Sequence, residues 1–102
     1  MSIKKQYLKS KPVCKVTFRL RAEEADGAKT AKLVGDFNDW DLCVAPMKKL
    51  KSGDFTQTLD LPADRTYQFR YLLDDEKWEN DWQADGYQPS PVAWDDNSVV
   101  RL

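Results

Sequence analysis

The stretch 66–74 constrains this chain more than any other. Tyr67, Phe69, Tyr71 and Leu73 alternate with Gln68, Arg70, Leu72 and Asp74. Successive side chains of an extended chain point to opposite faces, so this period of two predicts a strand with one aromatic face turned into a core. Aromatic side chains suit the pleated, half-buried surface of a sheet. Arg70 is then expected on the outer face. Cys14, Val16, Phe18 and Leu20 alternate in the same way with Lys15, Thr17, Arg19 and Arg21. That pattern predicts a second half-buried strand.

Shorter strands are expected at 30–34, 47–50, 55–61 and 98–102, separated by turn chemistry. Asp26-Gly27 marks a turn at 23–29, Gly53 one at 51–54, Pro62 one at 61–65, and Asp74-Asp75-Glu76-Lys77 a hairpin-type turn. Residues 41–46 read as a loop and 79–96 as a long loop, the kind that carries function in small domains. Strands at roughly 8–12-residue spacing with no helical period predict an all-β antiparallel sandwich. With 102 residues the chain is expected to form one domain, large enough for one core but not for a core and a deep catalytic cleft. Residues 1–11 are basic and without a clean period, and read as an arm preceding a domain at 12–102. Lys and Arg concentrate near the start and Asp and Glu in the last third. Such an asymmetry either helps the two ends dock or leaves two solvated faces.

Composition removes several classes of chemistry. The sequence contains no His, which argues against Ser-His-Asp and Cys-His triads and most zinc sites. No glycine-rich phosphate loop is present. Asp81 to Gly86 begins somewhat like an EF-hand loop, but lacks the acidic third position and has Val92 where a bidentate Glu is needed. The many carboxylates fall mostly in turns, where solvation is their ordinary role. No catalytic residues, metal or cofactor are therefore expected. The aromatic-rich loops around Trp78, Trp82 and Trp94 are acidic, which disfavours nucleic acid, and there is no apolar run long enough for a membrane span. The start of the chain lacks an apolar stretch of the signal-peptide kind. Cys14 and Cys43 are accordingly expected as reduced core thiols, and the protein as cytoplasmic.

The tryptophans point elsewhere. Trp40, Trp78, Trp82 and Trp94 all fall in or beside turns and loops. One such ring can plug the end of a sandwich; two exposed together make an apolar patch suited to recognition. Sugars present C–H faces that stack on aromatic rings and hydroxyls that bond to fixed polar groups. Trp40, Trp78, Arg70 and Asn97 supply both needs.

The motif Val34-Gly35-Asp36-Phe37-Asn38-Asp39-Trp40 combines a Gly that allows a tight backbone, a Phe able to anchor in the core, and an Asn-Asp turn that delivers a Trp. It is followed in order by Pro46-Met47, Gly53-Asp54-Phe55, Leu59-Asp60-Leu61-Pro62, the segment Tyr67 to Asp74, Trp78, and Asn97-Ser98-Val99-Val100. This series resembles the glycogen-binding module of the β subunit of AMP-activated protein kinase, itself similar to the N-terminal early-set domain of isoamylases, branching enzymes and pullulanases. The resemblance spans about residues 13–102. It implies an immunoglobulin-like (early-set) β-sandwich that binds α-1,4-linked glucans such as glycogen or starch. It further implies stacking by Trp40 and Trp78, hydroxyl contacts from Arg70 (at a Lys position of the family) and from Asn97, and no catalysis, since the barrel that performs it in those enzymes does not fit in this length. A protein of glycogen metabolism is an implied partner. The alternative is a protein-interaction or regulatory module that keeps the early-set fold without sugar binding.

Overall fold

A computed structural model of the protein describes residues 3–89 and 96–102. Among the described residues there are nine strands: β1 (Ile3–Tyr7), β2 (Val13–Leu20), β3 (Ala31–Gly35), β4 (Lys48–Lys49), β5 (Phe55–Pro62), β6 (Thr66–Leu73), β7 (Lys77–Glu79), β8 (Gly86–Pro89) and β9 (Asp96–Arg101). They form two antiparallel sheets. One has the order β1-β2-β5-β4; the other has the order β3-β6-β9-β8, with β7 also paired to β6. The expected all-β sandwich is the observed one.

The alternation read in the sequence decides which faces meet. Cys14, Val16, Phe18 and Leu20 of β2 and Tyr67, Phe69, Tyr71 and Leu73 of β6 are all buried in one hydrophobic core. Phe18 meets the ring of Phe69 edge-on, with centroids 5.1 Å apart. Phe37 enters from a 3-10 turn, Asp36–Asn38, and stands 5.7 Å from Phe18 and 6.1 Å from Tyr67. Aromatic pairs at these spacings add to what burial alone contributes. Phe37 is thus the side chain that fastens the motif to the core.

Gly35 owes its place to a close approach. Its backbone is extended, but a Cβ there would sit 2.5 Å from the Gln68 carbonyl oxygen and 2.7 Å from Phe69 Cβ. Both obstacles belong to the paired strand β6, opposite Gly35 in the register.

Three local readings change. The turn expected at 23–29 begins with one helical turn, α1 (Ala22–Ala25), in which Arg21 O accepts the N–H groups of Glu24 and Ala25. Four residues are too few to show a helical period. Asp26 (φ 47°) and Gly27 (φ 78°), both left-handed, then end it. The long loop expected at 79–96 contains β8 and the first residue of β9. β8 is an edge strand with little buried surface, bounded by Gly86 and Pro89, so its alternation is weak. Cys43 is exposed and only Cys14 is buried; both thiols are free. Cys43 lies in the loop after Trp40, outside the strand pairing that buries Cys14.

Within the stretch read as a basic arm, Ile3–Tyr7 pairs with β2 along its whole length. Lys5 Nζ reaches Asp85 Oδ2 at 2.6 Å, and Asp85 Oδ2 also accepts the Arg101 N–H at 2.8 Å. The basic start and acidic end therefore meet at this point, across the gap between the two sheets.

Carboxylates also tie the turns. Asp54 accepts Ala22 N–H at 2.8 Å and Arg19 Nε at 2.9 Å, and these bonds, the Ala22 one foremost, hold its pKa below the ordinary value. The stability they contribute is present at neutral pH and lost as pH falls through the lowered folded-state value. Glu24 behaves oppositely. It is buried, its Oε2 accepts Trp82 N–H at 3.4 Å, and burial pushes its pKa up, with Asp81 adding like charge. Ionised Glu24 thus penalises the folded state once pH rises above the ordinary value of 4.5.

Two outcomes follow in urea unfolding. Gly35→Ala should lower stability by about 1–3 kcal/mol, because the new methyl meets backbone. Glu24→Gln should raise the midpoint at neutral pH, and the gain should shrink towards zero as pH drops below about 4.5.

Candidate functional site

The outer face of the second sheet follows from register. Val34 opposes Arg70, Lys32 opposes Leu72, Leu72 opposes Trp78, and Val99 opposes Gln68. Side chains opposed in a pleated sheet share a face. Lys32, Val34, Gln68, Arg70, Leu72 and Trp78 therefore point away from the core that Tyr67, Phe69 and Tyr71 fill.

Arg70 and Asn97 meet directly. Arg70 Nε donates to Asn97 Oδ1 at 2.7 Å, and Asn97 Nδ2 donates to Gln68 Oε1 at 3.0 Å. Arg70 is only 6% exposed and Asn97 5%. The Arg expected on the outer face is on that face, but packed into it rather than standing free of it. An Asn can donate and accept at once, and here it does both.

Trp78 is 40% exposed. It lies in β7, immediately after a tight turn. Asp74 (φ 52°) and Asp75 (φ 58°) are both left-handed, and Glu76 N–H donates to Leu73 O at 3.0 Å. Two successive left-handed residues define the type I′ turn whose twist matches a hairpin. Asp tolerates that conformation better than most residues, and Asp74 Oδ1 accepts the N–H groups of Lys29 and Thr30 at 2.8 and 3.0 Å. These two bonds, Thr30 foremost, lower its pKa.

Trp40 is held differently. Asp39 and Trp40 are both left-handed, each at φ 56°, a costly conformation for a bulky side chain. Trp40 N–H donates to Gly35 O at 3.0 Å, and its indole Nε1 donates to Asp36 Oδ1 at 2.8 Å. The other oxygen of Asp36 accepts Gln68 N–H at 2.8 Å. Asn38 closes the turn, accepting Gly35 N–H at 3.0 Å and donating to Leu33 O at 2.9 Å. The indole, half-buried, is thereby hung beside Gln68 on β6. Trp78 sits beside Leu72 on the same strand, so the two attachment points are about 13 Å apart along β6.

Two contributors to this face escape sequence reading. Lys32 Nζ donates to Leu42 O at 2.9 Å and pairs with Asp75 Oδ1 at 2.7 Å. It so links the loop after Trp40 to the turn before Trp78. Gln68 joins Asn97 by its side chain and Asp36 by its backbone. The signal for both was their phase: each falls on the outward positions of its strand. Trp82 is exposed and lies apart from this row, and Trp94 lies outside the described residues.

The model of carbohydrate-binding module 48, described as the isoamylase N-terminal domain, matches residues 8–88. The chain belongs to this family. It is a family of carbohydrate-binding, non-catalytic modules. Trp40, Arg70 and Trp78 fall within the matched residues and Asn97 beyond them. A search of curated proteins finds no match. Among the described residues no helix is long and apolar enough to cross a membrane.

The Arg70–Asn97–Gln68 chain predicts its own cost of disruption. Asn97→Ala leaves Arg70 Nε and Gln68 Oε1 without this partner in a buried setting. It should lower stability by roughly 1–3 kcal/mol in urea unfolding.

Proposed function

We propose that this module binds α-1,4-linked glucan of the glycogen or starch type, without catalysis and in the cytoplasm, through Trp40, Arg70, Trp78 and Asn97. Carbohydrate binding is the property of the family. The observation that carries the finer reading is the outer row of the second sheet. An exposed Trp78 ring flanks the hydrogen-bonded Arg70–Asn97 pair, and a second indole, Trp40, is pinned at the other end. Ring faces supply stacking surface for pyranose C–H groups, and the polar pair between them supplies the bonds to hydroxyls. The Trp40 indole, already held by Asp36, loses little freedom on binding. A protein of glycogen metabolism is the partner class this reading implies.

Retention of the purified protein on glycogen or amylose tests it. Trp78→Ala should weaken retention about tenfold or more, and Trp40→Ala should do the same, with unfolding midpoints showing that both variants fold. Failure of the unaltered protein to be retained refutes the reading, as does equal retention of all three.

A second reading has its own support. Arg70 and Asn97 are both buried and bonded to one another, an arrangement that also serves a module which keeps the fold for protein interaction or regulation without sugar. Capture of a defined protein partner, with no change in tryptophan fluorescence on adding glucan, would select it.

A further inference from the structure

Among the described residues the largest exposed apolar side chain outside the outer row is Trp82, at 59% exposure; Tyr87, bonded to the residue before it, is 44% exposed. Neither ring is loose. Trp82 Nε1 donates to Glu79 Oε1 at 2.7 Å, and Tyr87 OH donates to the Asp81 carbonyl oxygen at 2.5 Å. Asp81 itself is fully buried, its Oδ2 accepting Tyr71 OH at 2.8 Å and its N–H donating to Ser98 Oγ at 2.8 Å. Burial beside that carboxylate holds the Tyr71 proton well above the usual phenol range, so the hydroxyl stays a donor. Each exposed ring is therefore moored by its only polar group, Trp82 to the half-buried Glu79 side chain and Tyr87 to the backbone of buried Asp81. What remains for a ligand is flat apolar surface.

This surface is not the outer row. Glu79 opposes Tyr71, on the core-facing side of the second sheet, whereas Trp78 opposes Leu72 on the outer side. Next in the chain after Trp82, Gln83 joins Ile3, Lys4, Lys5 and Asp85 in lining an open groove of about 560 Å³ between β1 and the segment that precedes β8. The surroundings of the rings select the ligand. Glu79 stands at Trp82, while along the groove Lys4 and Lys5 face Asp85, with Lys5 paired to it at 2.6 Å; neither sign of charge prevails, which suits a neutral chain of hydroxyls.

We propose that Trp82, with Tyr87, forms a second glucan-stacking subsite, on the opposite side of the second sheet from Trp78. It rests on the glucan-binding reading above. Two stacking sites on one module make attachment to a polymer partly intramolecular, so the gain appears with long chains and not with short ones.

The test compares unaltered protein with Trp82→Ala and Trp82→Phe. Retention on amylose and titration with a short linear malto-oligosaccharide are measured, and thermal unfolding checks that each variant folds. Trp82→Ala should weaken retention on amylose by roughly tenfold or more. It should also reduce the number of malto-oligosaccharide sites from two to one, leaving the Trp78 site. Trp82→Phe keeps a ring and should retain most of the binding. Unchanged amylose retention in Trp82→Ala overturns the second subsite while leaving the outer row intact. An equal loss in Trp82→Phe also overturns it, because the effect would then belong to the Glu79 hydrogen bond. If the unaltered protein binds neither probe, the glucan-binding reading itself fails and the subsite with it.

Discussion

Strand β6 is hydrogen-bonded to β3 on one side and to β7 and β9 on the other. Its alternate side chains serve two purposes at once. Tyr67, Phe69, Tyr71 and Leu73 fill the core, and Gln68, Arg70 and Leu72 build the outer row. A slip of one residue in its pairing would exchange the two sets, exposing the aromatics and burying a guanidinium against Phe18. The large apolar area of that core therefore holds the register, and the register holds the candidate site. The site needs no separate framework of its own.

The tryptophans show a common way of presenting a ring. Indole N–H is a donor only, and it costs free energy if it is removed from water without a partner. Trp40 gives it to Asp36 and Trp82 gives it to Glu79, each within four residues in the chain. Satisfying the polar group locally fixes the plane of the ring and leaves its faces for contact. Asp36 does more, because its second oxygen takes the otherwise unpaired Gln68 N–H just past the end of the β3–β6 ladder. The same carboxylate thus terminates the pairing and orients the indole.

Much of this was legible in the chain. Strands β2, β5 and β6 show their alternation because each has one face in a core that tolerates only apolar groups. The Asn-Asp turn and the Asp74-Asp75 turn were legible because few residues accept left-handed backbone. Helix α1 and strand β8 were not, since a single helical turn and an exposed edge strand leave almost no periodic trace. The exposure of Cys43 was hidden for a similar reason: a loop cysteine carries no phase that reports burial. The role of Lys32 stayed hidden because its partners, Leu42 O and Asp75, come from two separate loops.

The sequence by itself determined the sandwich, the inward aromatic faces and the turns that deliver Trp40 and Trp78, because period and turn chemistry are local properties of the backbone. Only the tertiary structure decided that Arg70 and Asn97 bond to each other in a nearly buried pair. It also decided that Trp78 stands on the outer side of the sheet while Trp82 bonds to Glu79, a residue of the other side. Those outcomes depend on strand pairing between residues far apart in the chain, and on the energetic demand that each buried polar group find a partner wherever the fold supplies one.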